Sequence, residues 1–537
     1  MGLKDTIFGF FSPTSESVAE QPNKKQSFEP SAYSSYRPLF NISYDGEKNT
    51  GELGSPLSYR LDYRGLRLRS WQSYLDNEIT QTVIKKYVLW IIGGGLKLQS
   101  EPVESVLSDE KVTLDTDKFS KAVEDRFKLF AEQKSVDHSG LINLNSIANT
   151  AYLNSIVGGD VLVVLRVVKG KLKVELIDGA HVQNPLFDEQ KEIPKNHELK
   201  NGIETNKRGE HVRYWVAQKD HTFKKIRARG SKMGREMAFM VYGLKYRLND
   251  NRGIPLIATS LETLQKLDRY KEATVGSAEE RAKIPFFIEH GQSSTGENPV
   301  TGNMARAFNI DAQQEIPTDI NGTELANEIA VSMNKQVYNM PVDSKIVSTD
   351  TKSDIHFQDF YMPNVNVICS AIGIPPEVAL SKYDSNFSAS RAALKDWEHT
   401  INVERKKFSD QFYKKIFSFW LELEVLKNNI QAPGYINLLM TQNEIGIAAY
   451  QQSRFVGANV PHIDPVKEVA AERLKLGKSG ENIPLTTAEA ATEALNGGDY
   501  QSNVTQYATE LEETKTAGIT TEQTETQPLP NKEENDE

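Results

Sequence analysis

Gly477-Lys478-Ser479 is where this chain comes nearest to a phosphate-binding loop. The backbone cradle of such a loop needs a second glycine five positions before Gly477, and Glu472 stands there, so no nucleotide-driven motor is expected. Nine histidines stand singly, at 138, 181, 197, 211, 221, 290, 356, 399 and 462, with no pair at metal-ligand spacing and no HExxH. No GxSxG nucleophile elbow occurs. Cys369, the single cysteine, can form neither an intrachain disulfide nor a zinc site, and its apolar run Val365 to Ile374 predicts a buried, inert thiol, as in a protein assembled in a reducing cytoplasm. Carboxylates are abundant at 73 Asp and Glu, and a nuclease centre gathered from distant segments leaves no local pattern, so that enzyme class stays open.

Two groups of basic residues stand out. Arg60, Arg64, Arg67 and Arg69 lie close together, and the first three share one helix face. The ordinary reading is a solvated face that pairs with acidic neighbours or another subunit; the sharper one is contact with DNA phosphates. The stretch Lys224 to Arg235 holds six Lys or Arg among Ser and Gly and reads as an exposed loop. The net charge of −10 argues against a protein that grips nucleic acid over a broad surface. It is compatible with a passage that DNA slides through, because an acidic wall holds phosphates off.

The elements that position these residues follow from periodicity. Leu61, Leu66, Leu68, Trp71, Leu75, Ile79, Val83, Tyr87 and Trp90 recur at mostly helical steps until Gly93 to Gly95. Helices are also predicted over about 115–132 and 141–156. Val161 to Val168, the turn Lys169-Gly170 and the alternating Leu172, Val174 and Leu176 make a hairpin, and with Val212 to Val216 and Ala238 to Leu244 they mark 160–250 as mainly β. A capping box at Thr259 and Glu262 opens a helix that runs to about Arg281. Residues 286–350 are rich in Gly, Asn, Thr and Pro and suggest a small mixed insert. A helix over Phe357 to Ile372 follows, where Pro363 marks a kink or the true start. The longest helical pattern, Ser388 to Asn428, carries Leu394, Trp397, Ile401, Phe408, Phe412, Ile416, Phe419 and Leu423 on one stripe, about 60 Å at 1.5 Å per residue. Shorter helices are predicted over 441–455, 464–476 and 487–495.

With 537 residues, the chain exceeds one hydrophobic core and should form several units. Residues 1–55 read as an extended or disordered arm and 514–537 as a disordered polar tail. No apolar run approaches the roughly 20 residues that a bilayer crossing requires, and no secretory signal is evident.

This order of elements is similar to that of the lambda-type phage portal family. Five stretches carry the likeness: Leu66 to Pro102 with its Arg-rich helix, Gly turn and Leu98-Gln99; Ile177-Asp178 with Gly202-Ile203-Glu204 and Tyr214; Arg252-Gly253-Ile254-Pro255 leading into Leu261 to Ala273; Asn386-Phe387-Ser388-Ala389-Ser390-Arg391; and Ile463-Asp464-Pro465. Phe387 and Ala389 depart from the family's usual Tyr and Ser. The resemblance implies an α+β, mainly helical fold assembled as a cyclic ring, usually of twelve copies, with no catalytic site and no cofactor. It divides the chain into a wing (56–258), a stem helix (259–283), a clip (284–354), a returning stem helix (355–376), a tunnel loop (377–388), a long wing helix with following helices (389–463) and crown helices (464–513). The two stem helices should run antiparallel.

Lys382, Tyr383, Asp384, Ser385, Asn386 and Phe387 would then approach DNA in the tunnel. Arg60, Arg64, Arg67 and Arg391 are candidates for contact with DNA or a neighbouring subunit. The implied partners are double-stranded DNA in passage, further copies of the chain, the packaging ATPase (the large terminase subunit), the major capsid or scaffold protein and tail connector proteins. The implied place is the portal vertex of the virion, after assembly in the host cytoplasm, with no membrane involved. Another head-completion protein of the virion is the remaining structural alternative.

Overall fold

The structure, a computed structural model, describes residues 62–185, 193–220, 222–230, 234–247, 250–283, 328–332, 335–338, 357–382, 387–458, 465–477, 484–496, 498 and 500–517. The chain divides into two units, Met1–Asp62 and Tyr63–Glu537, and the description concerns the second. The expected N-terminal arm lies outside the described residues.

The first helical stripe is two helices. α1 (Tyr63–Asp76) stops at Asn77, whose side chain accepts from the Thr80 N–H and caps α2 (Glu78–Ile91). Each half keeps its apolar face, so the periodicity hides the break. β1 (Lys97–Ser100) and the short α3 (Glu104–Asp109) follow. α4 (Thr116–Glu132) is capped by Asp115 and buries Phe119, Val123 and Phe127. α5 (Leu144–Gly158), capped by Asn143, leads through Gly159 into the sheets.

β2 (Asp160–Val168) and β3 (Lys171–Asp178) form the expected hairpin, paired Val168 to Lys171. Lys169 and Gly170 both sit at positive φ, 51° and 74°, as a tight two-residue turn matching strand twist requires. β4 (Glu198–Lys200), β5 (Ile203–Thr205), β6 (His211–Ala217) and β7 (Phe223–Arg227) make a four-stranded antiparallel sheet in that order. β8 (Ala238–Tyr242) returns to pair with β2, giving a second sheet ordered β3-β2-β8. The two sheets share one core, in which Leu162, Val164 and Met240 meet Ile203, Tyr214, Val216 and Ile226. Lys224 to Arg227, read from sequence as loop, belong to β7.

α6 (Leu261–Lys283) starts one residue later than the capping box placed it: the Ser260 carbonyl takes the first helical bond, from the Leu264 N–H at 2.9 Å. Of the insert, only the hairpin β9 (Glu328–Ser332) and β10 (Lys335–Tyr338) is described. α7 (Phe357–Ile372) keeps Pro363 inside it, so the helix starts two turns before the proline. α8 (Pro376–Leu380) precedes α9 (Phe387–Phe408), which continues through a π turn at Ser409–Tyr413 into α10 (Lys414–Leu426). The long helix therefore exists, with one extra residue wound into it. α11 (Tyr435–Met440) and α12 (Glu444–Gln451) follow. β11 (Ser453–Val456) then pairs antiparallel with β1, although its segment carries a helical pattern. α13 (Pro465–Lys475), α14 (Ala488–Asn496) and α15 (Tyr500–Thr516) close the described chain, and α15 runs into the stretch expected to be disordered from residue 514.

A second core joins the first and last thirds of the chain. Phe127 of α4 meets Trp420 and Phe417 of α10 edge-on, with centroids at 5.1 and 5.6 Å, and Phe455 of β11 lies at 6.0 Å. The fold is thus mixed helix and sheet, mainly helical.

Candidate functional site

α6 and α7, the two helices that flank the insert, pack against each other. Tyr270 of α6 stacks on Phe357 at 5.7 Å and lies 4.6 Å from Phe360 in the first turn of α7. Leu261, Leu264 and Leu267 are buried. Beyond Tyr270 the helix is largely uncovered, and Val275 is 52% exposed. α7 has two characters: Val365, Ile368 and Cys369 face inward, while Phe360 and Val367 are 43% and 63% exposed. Burial pushes the Cys369 thiol up to about 11, helped by the nearby Glu377 carboxylate, so it is protonated at neutral pH.

Both helices are fastened to α2. Asn77 donates from Nδ2 to the two Asp268 oxygens at 2.8 and 2.9 Å, and Lys271 Nζ reaches Glu78 at 2.6 Å. Further along, the Tyr87 hydroxyl donates to the Ile372 carbonyl, at the end of α7, at 2.6 Å. Burial, with the Glu404 carboxylate near, raises the Tyr87 pKa, so the phenol remains a donor. Trp397 of α9 packs edge-on against the same ring at 5.1 Å. One tyrosine therefore joins α2, α7 and α9.

Gly373, at φ 85°, ends α7, and α8 ends at Ser381 in the left-handed region at φ 55°. Residues 377–380 of the expected tunnel loop 377–388 are helical, as part of α8, and Lys86 Nζ of α2 donates to Ser381 Oγ, just after that helix, at 2.7 Å. Lys382 is exposed, and its N–H bonds the Glu377 carbonyl. Tyr383, Asp384, Ser385 and Asn386 lie outside the described residues, and Phe387 opens α9. Arg391, one turn into α9, is paired with Glu468 of α13 at 3.7 Å.

The early arginines do not stay together. Arg60 lies outside the described residues, Arg64 is exposed, and Arg67 is buried. Its expected place on a solvated face with Arg64 is thus corrected: Arg67 turns inward to the Asp160 carboxylate. Arg252 reaches the same carboxylate with Nε at 2.7 Å and Nη2 at 2.8 Å, and its other donors meet the carbonyls of Gly179, Val182 and Asn201. The Gly253 N–H adds a bond to Asp160 at 2.9 Å. Burial would raise the carboxyl, but the two guanidiniums and this N–H outweigh it and hold the pKa at about 2. Gly179 leaves room for the pair, since a Cβ there would come 2.0 Å from Asp160 Oδ1. Asp160 and Arg252 escaped the sequence reading because they are 92 residues apart; Arg252-Gly253 was legible only as part of the family likeness.

A second buried arginine acts as a cap. Arg405 of α9 donates to the Trp90 and Ile91 carbonyls at 2.8 and 3.0 Å and to that of Ala458, placing a cation on the last carbonyls of α2. Burial pulls its pKa down to about 10, well above neutrality. Among the described residues, no group of three His, Cys, Asp or Glu is placed to hold a metal ion, and no helix is long and apolar enough to cross a membrane.

No curated protein matches the chain. The family model described as phage portal protein, lambda family, matches residues 56–405, a span that includes the arginine node, the sheets, α6, the insert and α7. That family is structural rather than enzymatic. With about two thirds of its length matched, the chain belongs to the lambda family of phage portal proteins.

Proposed function

We propose that copies of this chain close into a ring at one capsid vertex, and that viral duplex DNA passes inward through its bore during packaging and outward at ejection. Family membership over residues 56–405 carries the reading. In it, 56–258 with the long helix form the wing, 259–283 and 355–376 the stem, 284–354 the clip and 464–513 the crown. The packaging ATPase, and later the tail connector proteins, dock on the clip; the capsid or scaffold protein meets the outside of the ring. The protein supplies no force, which comes from the docked ATPase.

Uncovered apolar surface on the single chain supports self-association. Phe360 and Val367 on α7, and Tyr500, Val504 and Tyr507 on α15, face solvent at 40–63% exposure, and closed cyclic assembly covers such residues with a neighbour's surface. Electron microscopy of the purified protein tests the proposal: rings with a central hole and no ATP hydrolysis are expected, and a stable monomer under assembly conditions would overturn it. Deleting Lys382 to Phe387 should leave rings intact and impair DNA packaging or retention. Loss of the oligomer on that deletion would make the segment structural instead.

A further inference from the structure

Charge along this acidic protein is strongly segregated. Between residues 193 and 235 the sequence holds twelve Lys or Arg against four Asp or Glu, a surplus of eight in a chain whose net charge is −10. Residues 198–227, the four-stranded sheet with its turns, carry eight of those bases and all four of the carboxylates, a surplus of four. The sheet's inner face, with Ile203, Tyr214, Val216 and Ile226, is consumed by the core. Strand alternation therefore turns Arg213, Lys225 and Arg227 to the other face.

On that outer face Arg213 and Arg227 stand directly opposite each other on adjacent strands, a pairing of like charges that costs stability when nothing lies between them. Of the two, Arg213 has a carboxylate, Glu204 at 3.4 Å, which is itself shared with His197 and the Trp215 indole N–H. Lys225 Nζ lies 4.6 Å over the Trp215 ring. More bases ring the sheet: Lys207 and Arg208 in the β5–β6 turn, Lys219 in the β6–β7 turn, Lys224 and Arg227 on β7, and Arg229 beyond it. These six are exposed, and among the described residues no carboxylate pairs with any of them.

We propose that this outer sheet face, with its two turns, docks the phosphate backbone of duplex DNA, a contact separate from passage through the proposed bore. β6 separates the two basic turns by seven residues, about 24 Å at 3.4 Å per residue, so the surplus suits an extended polyanion rather than a single anion. The face also lacks what a protein partner usually needs. Trp215 is fully buried, and among the described residues of 193–235 no large apolar side chain is exposed to anchor an acidic peptide. Phosphate binding needs no such anchor, only clustered Lys and Arg that displace counterions. The proposal does not depend on the ring, because the surface is complete within one chain.

The test uses the purified full-length protein and a covalently closed circular plasmid, which cannot thread a closed bore, in a filter-binding titration from 50 to 200 mM salt. Six phosphate contacts predict a loss of affinity of about a thousandfold across that range. The double variants Lys219→Glu with Arg227→Glu, and Lys207→Glu with Arg208→Glu, should each weaken binding at 50 mM salt at least tenfold and reduce the salt slope by about two, with an unchanged circular-dichroism spectrum. Absence of plasmid binding at 50 mM salt, or binding unchanged in both variants, would overturn the proposal. Tighter binding of poly-glutamate than of plasmid would also overturn it and reassign the surface to an acidic protein. If the variants lose the plasmid and the wild type forms no rings, the sheet surface stands and the bore reading fails.

Discussion

Asp160 concentrates much of what holds the N-terminal half together. Its carboxylate meets Arg67 from α1 and Arg252 from the segment before α6, so it joins the first helix, the sheets and the lead-in to the helix pair. Asp160→Asn would strand two buried guanidiniums and should cost about 3–5 kcal/mol, measured by denaturant unfolding. Because its folded pKa lies below the ordinary 3.8, the stabilisation is complete above that value and is lost as pH falls towards about 2. An acid titration of stability should steepen in that window for the wild type and flatten for Asp160→Asn. Cys369 gives a second prediction at this scale. Buried, with its pKa pushed up to about 11, it should resist a thiol reagent at pH 7–8 while the chain is folded and react fully in denaturant; ready reaction in the native state would refute the placement of α7.

Among the elements, the long helix organises its surroundings through side chains that reach out of it. Arg405 caps α2, Trp397 packs on Tyr87, and the π turn directs Gln411, whose Oε1 accepts the Tyr242 N–H of β8 at 2.8 Å. A π turn shifts the side-chain phase of the helix, which lets α10 present Phe417 and Trp420 to α4 while α9 presents Trp397 to α2. Replacing Arg405 by Met keeps the packing volume and removes the charged donors, leaving the last α2 carbonyls short of partners. The expected loss is about 2–3 kcal/mol in thermal or denaturant unfolding, against under about 1 kcal/mol for Lys395→Met on the exposed side of the same helix.

At the scale of the whole molecule, exposure of apolar side chains on the C-terminal helices is the feature that a single chain does not explain. α15 buries no residue, and Tyr500, Val504 and Tyr507 recur at steps of four and three along it. In the proposed ring these positions meet a neighbouring copy. Val504→Asp combined with Tyr507→Asp should then shift sedimentation towards smaller species without changing the thermal unfolding of the isolated chain. An unchanged ring population would place the stripe outside the subunit contacts.

By itself the sequence determined the kinds and order of most elements, because local periodicity carries that information. The hairpin at Lys169-Gly170, the helices over about 115–132 and 141–156 and the long stripe through Trp397 and Phe419 each act within a few residues of chain. Tertiary structure decided whatever depends on partners far away in sequence. Arg67 looked like Arg64 until Asp160, 93 positions on, drew it inward, and Ser453 to Val456 became a strand because β1 offered an edge. The helix break at Asn77 likewise comes with a bond to Asp268. In each case a long-range partner outweighs a local preference, since satisfying a buried charge or backbone donor is worth more than the small differences between local conformations.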